Sequence, residues 1–267
     1  MDRGEGRIAV VTGGGGSNIG RSVSRRLAAV NERVVVVDKD TTAGTETVDL
    51  IESEDGNDAV FLECDVTVPD AVSSVLDSVV AEFGSLDVLV NNAGGASGLR
   101  LEDIDEATFD DNVDVNLKSA FFTTRAALPH LRDGDGGNVV FVSSINALLG
   151  GFSEVAYSVS KAGLHALARC LTADYAGDGV RFNVVCPGSV IGNSDTWEER
   201  ERRDPGTKRR IHELYPVGRY GDPEDVAAAV EFLSSPRASW ISGVTLPVDG
   251  GLTATGGLPG GRWWENI

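Results

Sequence analysis

Tyr157 and Lys161 are the two side chains in this sequence best suited to moving a proton. The segment around them has the pattern of a helix, on which residues four positions apart share one face. A free phenol has a pKa of about 10, too high for a base near neutral pH, but a nearby ammonium stabilises the phenolate and lowers that pKa. This spacing is also common on helices without a catalytic role. The surrounding elements must therefore show whether the pair is catalytic.

Two further polar residues are candidates for the same site. Ser144 follows the predicted strand Asn138–Ser143, where its hydroxyl would hydrogen-bond a reacting oxygen. Its neighbour Ser143 points elsewhere if side chains alternate along the strand. Asn116 lies in the predicted helical region 101–133. There it either interrupts the helical hydrogen bonds and holds a water molecule, or it is an ordinary asparagine inside a helix.

A glycine-rich turn between the first predicted strand and the first predicted helix favours a dinucleotide site. Glycines there let the backbone approach a pyrophosphate, which the helix N-terminus then stabilises. Asp38 ends the next strand and would accept hydrogen bonds from both ribose hydroxyls while repelling a 2′-phosphate, so we expect NAD, not NADP. Lys39 beside it either softens that preference or faces solvent. The candidate cofactor residues here are Gly13, Ser17, Asn18, Ile19, Gly20, Asp38 and Lys39.

The third and fourth predicted strands also end in small and polar residues. Ligands of open α/β sheets bind beyond the carboxyl ends of the strands, so both ends should line one crevice. Small side chains there let the adenosine half of a dinucleotide pass close to the backbone. The candidates are Asp65, Val66, Asn92, Ala93 and Gly94.

Short apolar runs alternate with helical patterns along the whole chain. Runs such as Val34–Val37 are typical of strands buried on both faces. The β-α order predicts an α/β, single-domain Rossmann fold over residues 1–267, with a doubly wound parallel sheet of about seven strands and helices on both faces. The predicted strands are Ile8–Thr12, Arg33–Asp38, Ala59–Cys64, Leu86–Asn91, Asn138–Ser143, Val180–Cys186 and Thr245–Val248. Helices are predicted at about 19–31, 41–54, 69–84, 101–133, 155–176 and 222–235.

Together these motifs resemble the short-chain dehydrogenase/reductase family over residues 6–251. The resemblance rests on Thr12–Gly20, Asp65, Asn91–Gly94, Asn116, Ser144, Tyr157 with Lys161, and Pro187-Gly188. It implies that Tyr157 is the general acid/base and that Ser144 orients the substrate oxygen. It implies that Lys161 binds the nicotinamide ribose and shares a proton relay with Asn116 and water. The residues it places at the nicotinamide end are Pro187, Gly188 and Val190.

Two positions depart from the pattern of that family. The glycine-rich turn is one residue longer, and Asn18 stands where the middle glycine is usual. Asparagine tolerates left-handed backbone better than most residues, so we expect binding to survive. Gly192 replaces the threonine often found after Pro-Gly. Contacts to the carboxamide would then come from Asn193, from Ser194 or from the backbone.

The bulk composition limits what the chain can bind. A formal net charge of −18 repels phosphate backbones and anionic membranes, so we expect neither nucleic acid nor membrane as a partner. No apolar run approaches the roughly 20 residues of a membrane span, and the first residues lack a signal-peptide pattern, which favours a cytoplasmic protein. The 3 cysteines and 3 histidines are scattered, so no metal site is expected.

Only four of the 23 basic residues are lysines. Acid-rich, lysine-poor surfaces suit a high-salt cytoplasm, where screening removes the self-repulsion of the fold. We therefore favour a salt-adapted, halophilic source over the alternative, a GC-rich genome that encodes arginine in place of lysine.

The expected reaction is reversible hydride transfer between NAD(H) and a small secondary alcohol or ketone, such as a sugar, polyol or hydroxy acid. The alternatives are an NADPH-linked 3-oxoacyl thioester reductase and a catalytically inactive NAD-binding regulator. The resemblance also implies a homo-oligomer, with a tetramer favoured. The tail 252–267 carries Trp263 and Trp264, which either anchor packing or reach a neighbouring subunit.

Substrate choice is expected to depend on the 145–155 loop and on a lid at 189–218, which follows a strand end and carries many charges. The residues Leu148, Leu149, Phe152 and Trp197 would make the pocket partly apolar. Arginine and glutamate side chains of the lid would equally suit a sugar or a hydroxy acid.

Overall fold

The protein is described here by a computed structural model. It describes residues 6–16, 18–30, 33–55, 57–96, 98–133, 136–151, 153–192 and 195–256. Seven strands form one sheet in the order β3-β2-β1-β4-β5-β6-β7, and every neighbouring pair is parallel. The strands are β1 (Ile8–Thr12), β2 (Arg33–Asp38), β3 (Ala59–Glu63), β4 (Val88–Asn91), β5 (Asn138–Val142), β6 (Arg181–Pro187) and β7 (Thr245–Val248). The doubly wound parallel sheet is confirmed.

Ten α-helices connect and cover the described strands. They are α1 (Asn18–Ala29), α2 (Thr41–Leu50), α3 (Pro69–Phe83), α4 (Glu106–Val113), α5 (Ser119–Arg132), α6 (Asn146–Leu149), α7 (Val155–Tyr175), α8 (Asp195–Arg203), α9 (Thr207–Leu214) and α10 (Pro223–Ser234). The region predicted as helical over 101–133 is more divided than expected. Asp105 caps α4 by accepting a hydrogen bond from the Thr108 amide, and a π-helical segment, Asp114–Lys118, joins α4 to α5.

The valine-rich strands are buried because their two faces belong to two separate apolar cores. In β2, Val35 contributes to one core and Val36 to the other, as strand alternation requires. Helices α3, α5 and α7 cover the first face, and α1 and α10 cover the second. This explains why the strands lack the regular alternation of apolar and polar residues that a sheet with one face in solvent would have.

The strand order determines where the crevice of the sheet lies. After β3 the chain crosses to the other side of β1, so β1 and β4 become neighbours at the centre of the sheet. Loops leaving these two strands turn in opposite directions, which opens a cleft at their carboxyl ends. The two lid helices, α8 and α9, follow β6 at the same end. No helix of the described residues is long and apolar enough to cross a membrane.

Candidate active site

The glycine-rich turn lies in contact with the end of β4. Gly13 has a φ of +64°, and a Cβ there would lie 2.9 Å from the Cα of Ala93. A Cβ on Gly20 would lie 2.0 Å from the carbonyl oxygen of Gly13. The Asn92 amide donates hydrogen bonds to the carbonyls of Thr12 and Gly13, at 3.1 and 3.0 Å. The turn is thus held tightly against the strand end, and only glycine fits at these approaches.

Asp38 holds the other side of the same turn. Its Oδ2 accepts hydrogen bonds from the amides of Gly15 and Gly16, at 3.1 and 2.9 Å. A Cβ on Gly16 would meet only this carboxylate, at 3.6 Å, so the space beside it is open. The carboxylate therefore orders the turn and faces the cavity at once, a structural role that the sequence did not predict.

A cavity of about 380 Å³ adjoins this turn. Asp65 lies at its rim, where hydrogen bonds from Thr67 hold the pKa of its carboxyl below the ordinary value. The predicted cofactor residues that line this cavity are Gly13, Asp38, Lys39, Asp65, Val66, Asn92, Ala93 and Gly94. A glycine cradle, an unobstructed carboxylate and a long cleft are what the adenosine half of a dinucleotide requires, so the residues fit such a cofactor.

A second cavity, of about 330 Å³, continues from the first. The two share Asn92, Gly94 and Gly95 as walls. The predicted site residues that line the second cavity are Ile19, Asn92, Gly94, Ser144, Tyr157, Lys161, Pro187, Gly188 and Val190. A Cβ on Gly94 would lie 2.9 Å from Lys161 Nζ. The nucleotide cavity therefore leads directly to the candidate catalytic side chains.

Two predicted cofactor residues that the structure describes, Asn18 and Gly20, are not among the lining residues of these cavities. Gly20 packs beneath the turn, and Ser17 lies outside the described residues. Asn18 packs against Gly192: a Cβ on Gly192 would lie 2.5 Å from the Asn18 Cγ. The two departures from the family pattern are thus in contact, and the missing side chain at one position makes room for the larger side chain at the other.

Tyr157 projects from the first turn of α7 beside Ser144. Burial raises the pKa of Tyr157, the Ser144 hydroxyl opposes that rise, and the charge of Glu154 adds to it. This corrects the expectation that Lys161 lowers the pKa of the phenol. The Lys161 Nζ is 5.7 Å from the centre of the Tyr157 ring, and the loss of solvation dominates.

Lys161 is anchored beneath the floor of the second cavity. It is only 3% exposed, and its Nζ donates to the carbonyl of Val142 at 2.8 Å. Burial lowers the pKa of Lys161 to about 8, because no carboxylate among the described residues pairs with it. Its ammonium therefore loses its proton at about pH 8.

Asn116 is buried in the π-helical segment between α4 and α5. Its Oδ1 accepts from the Gly95 amide at 3.0 Å, and its Nδ2 donates to the carbonyls of Gly95 and Asn112, at 2.8 and 2.9 Å. Both donor hydrogens of the amide thus have protein partners. Through these hydrogen bonds Asn116 holds in place the cavity wall formed by Gly94 and Gly95.

A buried polar cluster beneath Lys161 was not predicted from the sequence. Ser143 Oγ donates to the carbonyl of Lys161 at 3.0 Å and lies 2.8 Å from His165 Nε2. Cys186 Sγ lies 3.4 Å from the same ring nitrogen. Burial lowers the pKa of His165 and raises that of Cys186 to about 11, so both groups are neutral near pH 7. The cluster ties β5, β6 and α7 together. Ser143 also borders the second cavity, but its hydroxyl is engaged by the Lys161 carbonyl and His165.

The substrate side of the second cavity is more polar than expected. Leu148 and Leu149 are exposed and do not line it, and Phe152 lies outside the described residues. Trp197 does line it, and its indole donates to the carbonyl of Val190 at 2.9 Å. The polar lining residues that the sequence did not single out are Asn146, Glu154, Ser189 and Arg200. They lie in the 145–155 loop and the lid, the two segments expected to choose the substrate.

No group of three His, Cys, Asp or Glu side chains within the described parts of the chain could hold a metal ion. Asn193 and Ser194, considered as carboxamide contacts, and the tryptophan pair of the tail lie beyond those parts.

A crevice of this kind on a doubly wound parallel sheet is typical of Rossmann-fold, nucleotide-binding proteins. The sequence model of one family, described as enoyl-(acyl carrier protein) reductase, matches residues 14–253. The chain belongs to the short-chain dehydrogenase/reductase family, whose members use nicotinamide cofactors.

Named relatives agree with this assignment. Glucose 1-dehydrogenase 2 of Bacillus subtilis is 34% identical over 258 residues, which is 93% of this chain and 95% of that protein. The crystal structure of an oxidoreductase of the same family from Burkholderia thailandensis has a TM-score of 0.85 and 36% identity, with 93% of each chain covered. The structure of an NAD+-bound xylitol dehydrogenase has a TM-score of 0.87 and 29% identity, covering 94% of this chain and all of that one (100%).

The tight approach at Gly20 yields a test of the turn. Gly20→Ala adds a methyl group 2.0 Å from the Gly13 carbonyl oxygen, so the helix must move away from the turn. The gain in helix propensity, about 1 kcal/mol, is smaller than the strain of such overpacking, about 1–3 kcal/mol. We predict a lower free energy of unfolding in urea and at least about ten-fold weaker binding of NADH.

Gly177→Ala is the matched control, because a Cβ there meets no atom within 4 Å. It should leave NADH affinity unchanged and should not lower the free energy of unfolding. Wild-type NADH affinity in Gly20→Ala would show that the turn does not depend on this contact.

Proposed function

We propose that the protein transfers a hydride reversibly between NAD(H) and a secondary alcohol or ketone, with Tyr157 as the general acid/base. The observation that carries this proposal is that Ser144, Tyr157 and Lys161 line one cavity that continues into the nucleotide cavity. An oxidised nicotinamide supplies a hydride acceptor and a positive charge beside the phenol when it is bound. The named relatives support the same chemistry, since two of them are dehydrogenases of a sugar and a polyol by name.

Each side chain has a distinct task in oxidation of the alcohol. Ser144 hydrogen-bonds the carbinol oxygen and orients it towards Tyr157. The phenolate of Tyr157 accepts the hydroxyl proton as the carbon gives up its hydride. Lys161 lies at the inner end of the cavity, where its ammonium binds the ribose. Asn116 holds the Gly94-Gly95 wall that the two cavities share.

Asp38 supports NAD as the cofactor in this proposal. A carboxylate at this position accepts hydrogen bonds from ribose hydroxyls and repels a 2′-phosphate. Lys39, which lines the same cavity, is the only nearby group acting in the opposite direction among the described lining residues. The alternative, an NADPH-linked 3-oxoacyl thioester reductase, requires the opposite preference.

Fluorescence titration of the wild-type protein with NADH and NADPH tests the cofactor preference. We expect NADH to bind at least about ten-fold more tightly, which corresponds to about 1.4 kcal/mol of discrimination. Tighter binding of NADPH would contradict the assignment and favour the thioester reductase.

The role of Tyr157 separates the proposed enzyme from a catalytically inactive NAD-binding regulator. Tyr157→Phe removes the hydroxyl while leaving the ring in place, so we expect kcat/KM to fall by about 10²–10⁴ with NADH affinity unchanged. Tyr175→Phe, near the other end of the same helix, is the control and should be fully active. If the wild type binds NAD tightly but oxidises none of a broad set of alcohols, the regulator is the better account.

We extend the proposal to a cytoplasmic homotetramer adapted to high salt. Exposed apolar side chains on α5 and α7, including Phe121 and Val159, and the 99% exposed Trp240 favour burial between subunits. The net charge of −18 per chain opposes association unless salt screens it.

Static light scattering at low and at molar salt tests both parts of this extension. We expect four times the 28.0 kDa chain mass at molar salt and smaller species at low salt. A monomer in both conditions would exclude the tetramer, and an unchanged tetramer in both would remove the argument for salt adaptation.

A further inference from the structure

The carboxylate of Glu154 has no structural role among the described residues. It immediately precedes α7, three residues before Tyr157, and lines the second cavity. Its Oε2 is buried and has no hydrogen-bond partner. Buried acceptors in folded proteins are almost always satisfied, so an unsatisfied one beside a reactive group requires an explanation.

The side chain of Glu154 serves neither of the structural roles usual for a carboxylate at a helix start, which are helix capping and ion pairing. Glu154 occupies the N-cap position of α7, but its side chain makes no capping hydrogen bond, in contrast to the capping carboxylates of Asp105 and Asp222. Among the described residues it forms no ion pair. Burial raises the pKa of Glu154 while the charge of Arg200 lowers it, so Arg200 acts from a distance.

The groups around Glu154 define what it can bind. Asn146 packs against the same loop, where a Cβ on Gly151 would lie 2.5 Å from the Asn146 amide and 3.1 Å from Glu154 Cβ. Arg200 enters the cavity from the lid with its guanidinium 4.8 Å from the Trp197 ring, and it too has no ion-pair partner in the described residues. The substrate end of the cavity therefore offers an anion, a cation and an amide within one space.

An ionised carboxylate only accepts hydrogen bonds, so its partner on the substrate must be a donor. A substrate ammonium would be repelled by Arg200 in the same cavity. A steroid or an acyl chain would leave both charges desolvated and unpaired, which is costly. Hydroxyl groups satisfy all three side chains, because they donate to Glu154 and accept from Arg200 and Asn146.

We propose that Glu154 determines specificity by accepting a hydrogen bond from a second hydroxyl of the substrate, and that the substrate is a polyhydroxylated molecule, a sugar or polyol. This inference rests on the proposed function. Glu154, at the N-cap of α7, and Tyr157, in its first turn, line the same cavity. With Tyr157 on the reacting oxygen, Glu154 is placed to meet a second hydroxyl of the same substrate.

Steady-state kinetics with NAD+ test the inference, with glucose and xylitol as polyhydroxylated substrates and cyclohexanol as a mono-alcohol. Glu154→Gln keeps the shape but removes the charge. We expect it to raise KM for the polyhydroxylated substrate at least about ten-fold, the effect of losing a charge-assisted hydrogen bond. The KM for NAD+ and the KM for cyclohexanol, which has no second hydroxyl, should stay as in the wild type.

Two further variants make the result specific. Glu199→Gln removes a lid carboxylate that pairs with Arg203 outside the cavity, so it should behave as wild type with every substrate. Glu154→Asp keeps the charge but shortens its reach, and it should have an intermediate KM. If Glu154→Gln is too unstable to assay, Glu154→Asp alone decides, because an unchanged KM in that variant overturns the proposal.

The outcomes also separate the inference from the proposed function. A wild type that reduces NAD+ with cyclohexanol as readily as with glucose or xylitol, or a Glu154→Gln variant with unchanged KM, overturns the role of Glu154 and leaves the oxidoreductase assignment intact. A wild type that reduces NAD+ with no alcohol overturns both.

Discussion

The attachment of α7 to the end of β5 is the constraint on which the rest of the site depends. Lys161 donates its ammonium to the carbonyl of Val142, and the next residue, Ser143, donates its hydroxyl to the Lys161 carbonyl. These two bonds fix the helix against the strand end in one register. Ser144, which follows directly on the strand, must then face Tyr157, one turn earlier on the helix. The same attachment leaves Lys161 buried with a carbonyl, not a carboxylate, as its partner, which is why its pKa falls to about 8.

The cofactor turn depends on an equivalent constraint on the other side of the crevice. Asp38 and Asn92 come from different strands, yet both hydrogen-bond the backbone of the glycine-rich turn. The described part of the turn is therefore held by protein hydrogen bonds, which do not depend on a nucleotide. Asn18 and Gly192 show how such a turn tolerates change. A larger residue in the turn is accommodated because the chain after β6 has no side chain to meet it.

The sequence predicts the local part of this arrangement well. Continuous valine runs locate strands buried on both faces, and the spacing of Tyr157 and Lys161 identifies one helix face, because both signals depend on neighbours in the chain. The π-helical segment at Asn116 and the Ser143–His165–Cys186 cluster were not predicted, since they depend on contacts between distant segments. Glu154 was missed for a related reason: only the cavity shows that its carboxylate lacks a partner. The raised pKa of Tyr157 could not be predicted from the sequence either, because its main cause is burial of the phenol, which only the structure shows.

We propose above all that hydride passes directly from a carbinol carbon to a nicotinamide held in this crevice. The most direct measurement is mass spectrometry of the reduced cofactor after a single turnover with NAD+ and a sugar or polyol deuterated at the reacting carbon. We expect the deuterium in the nicotinamide ring of the NADH. Deuterium released to water, with unlabelled NADH or none, would contradict it.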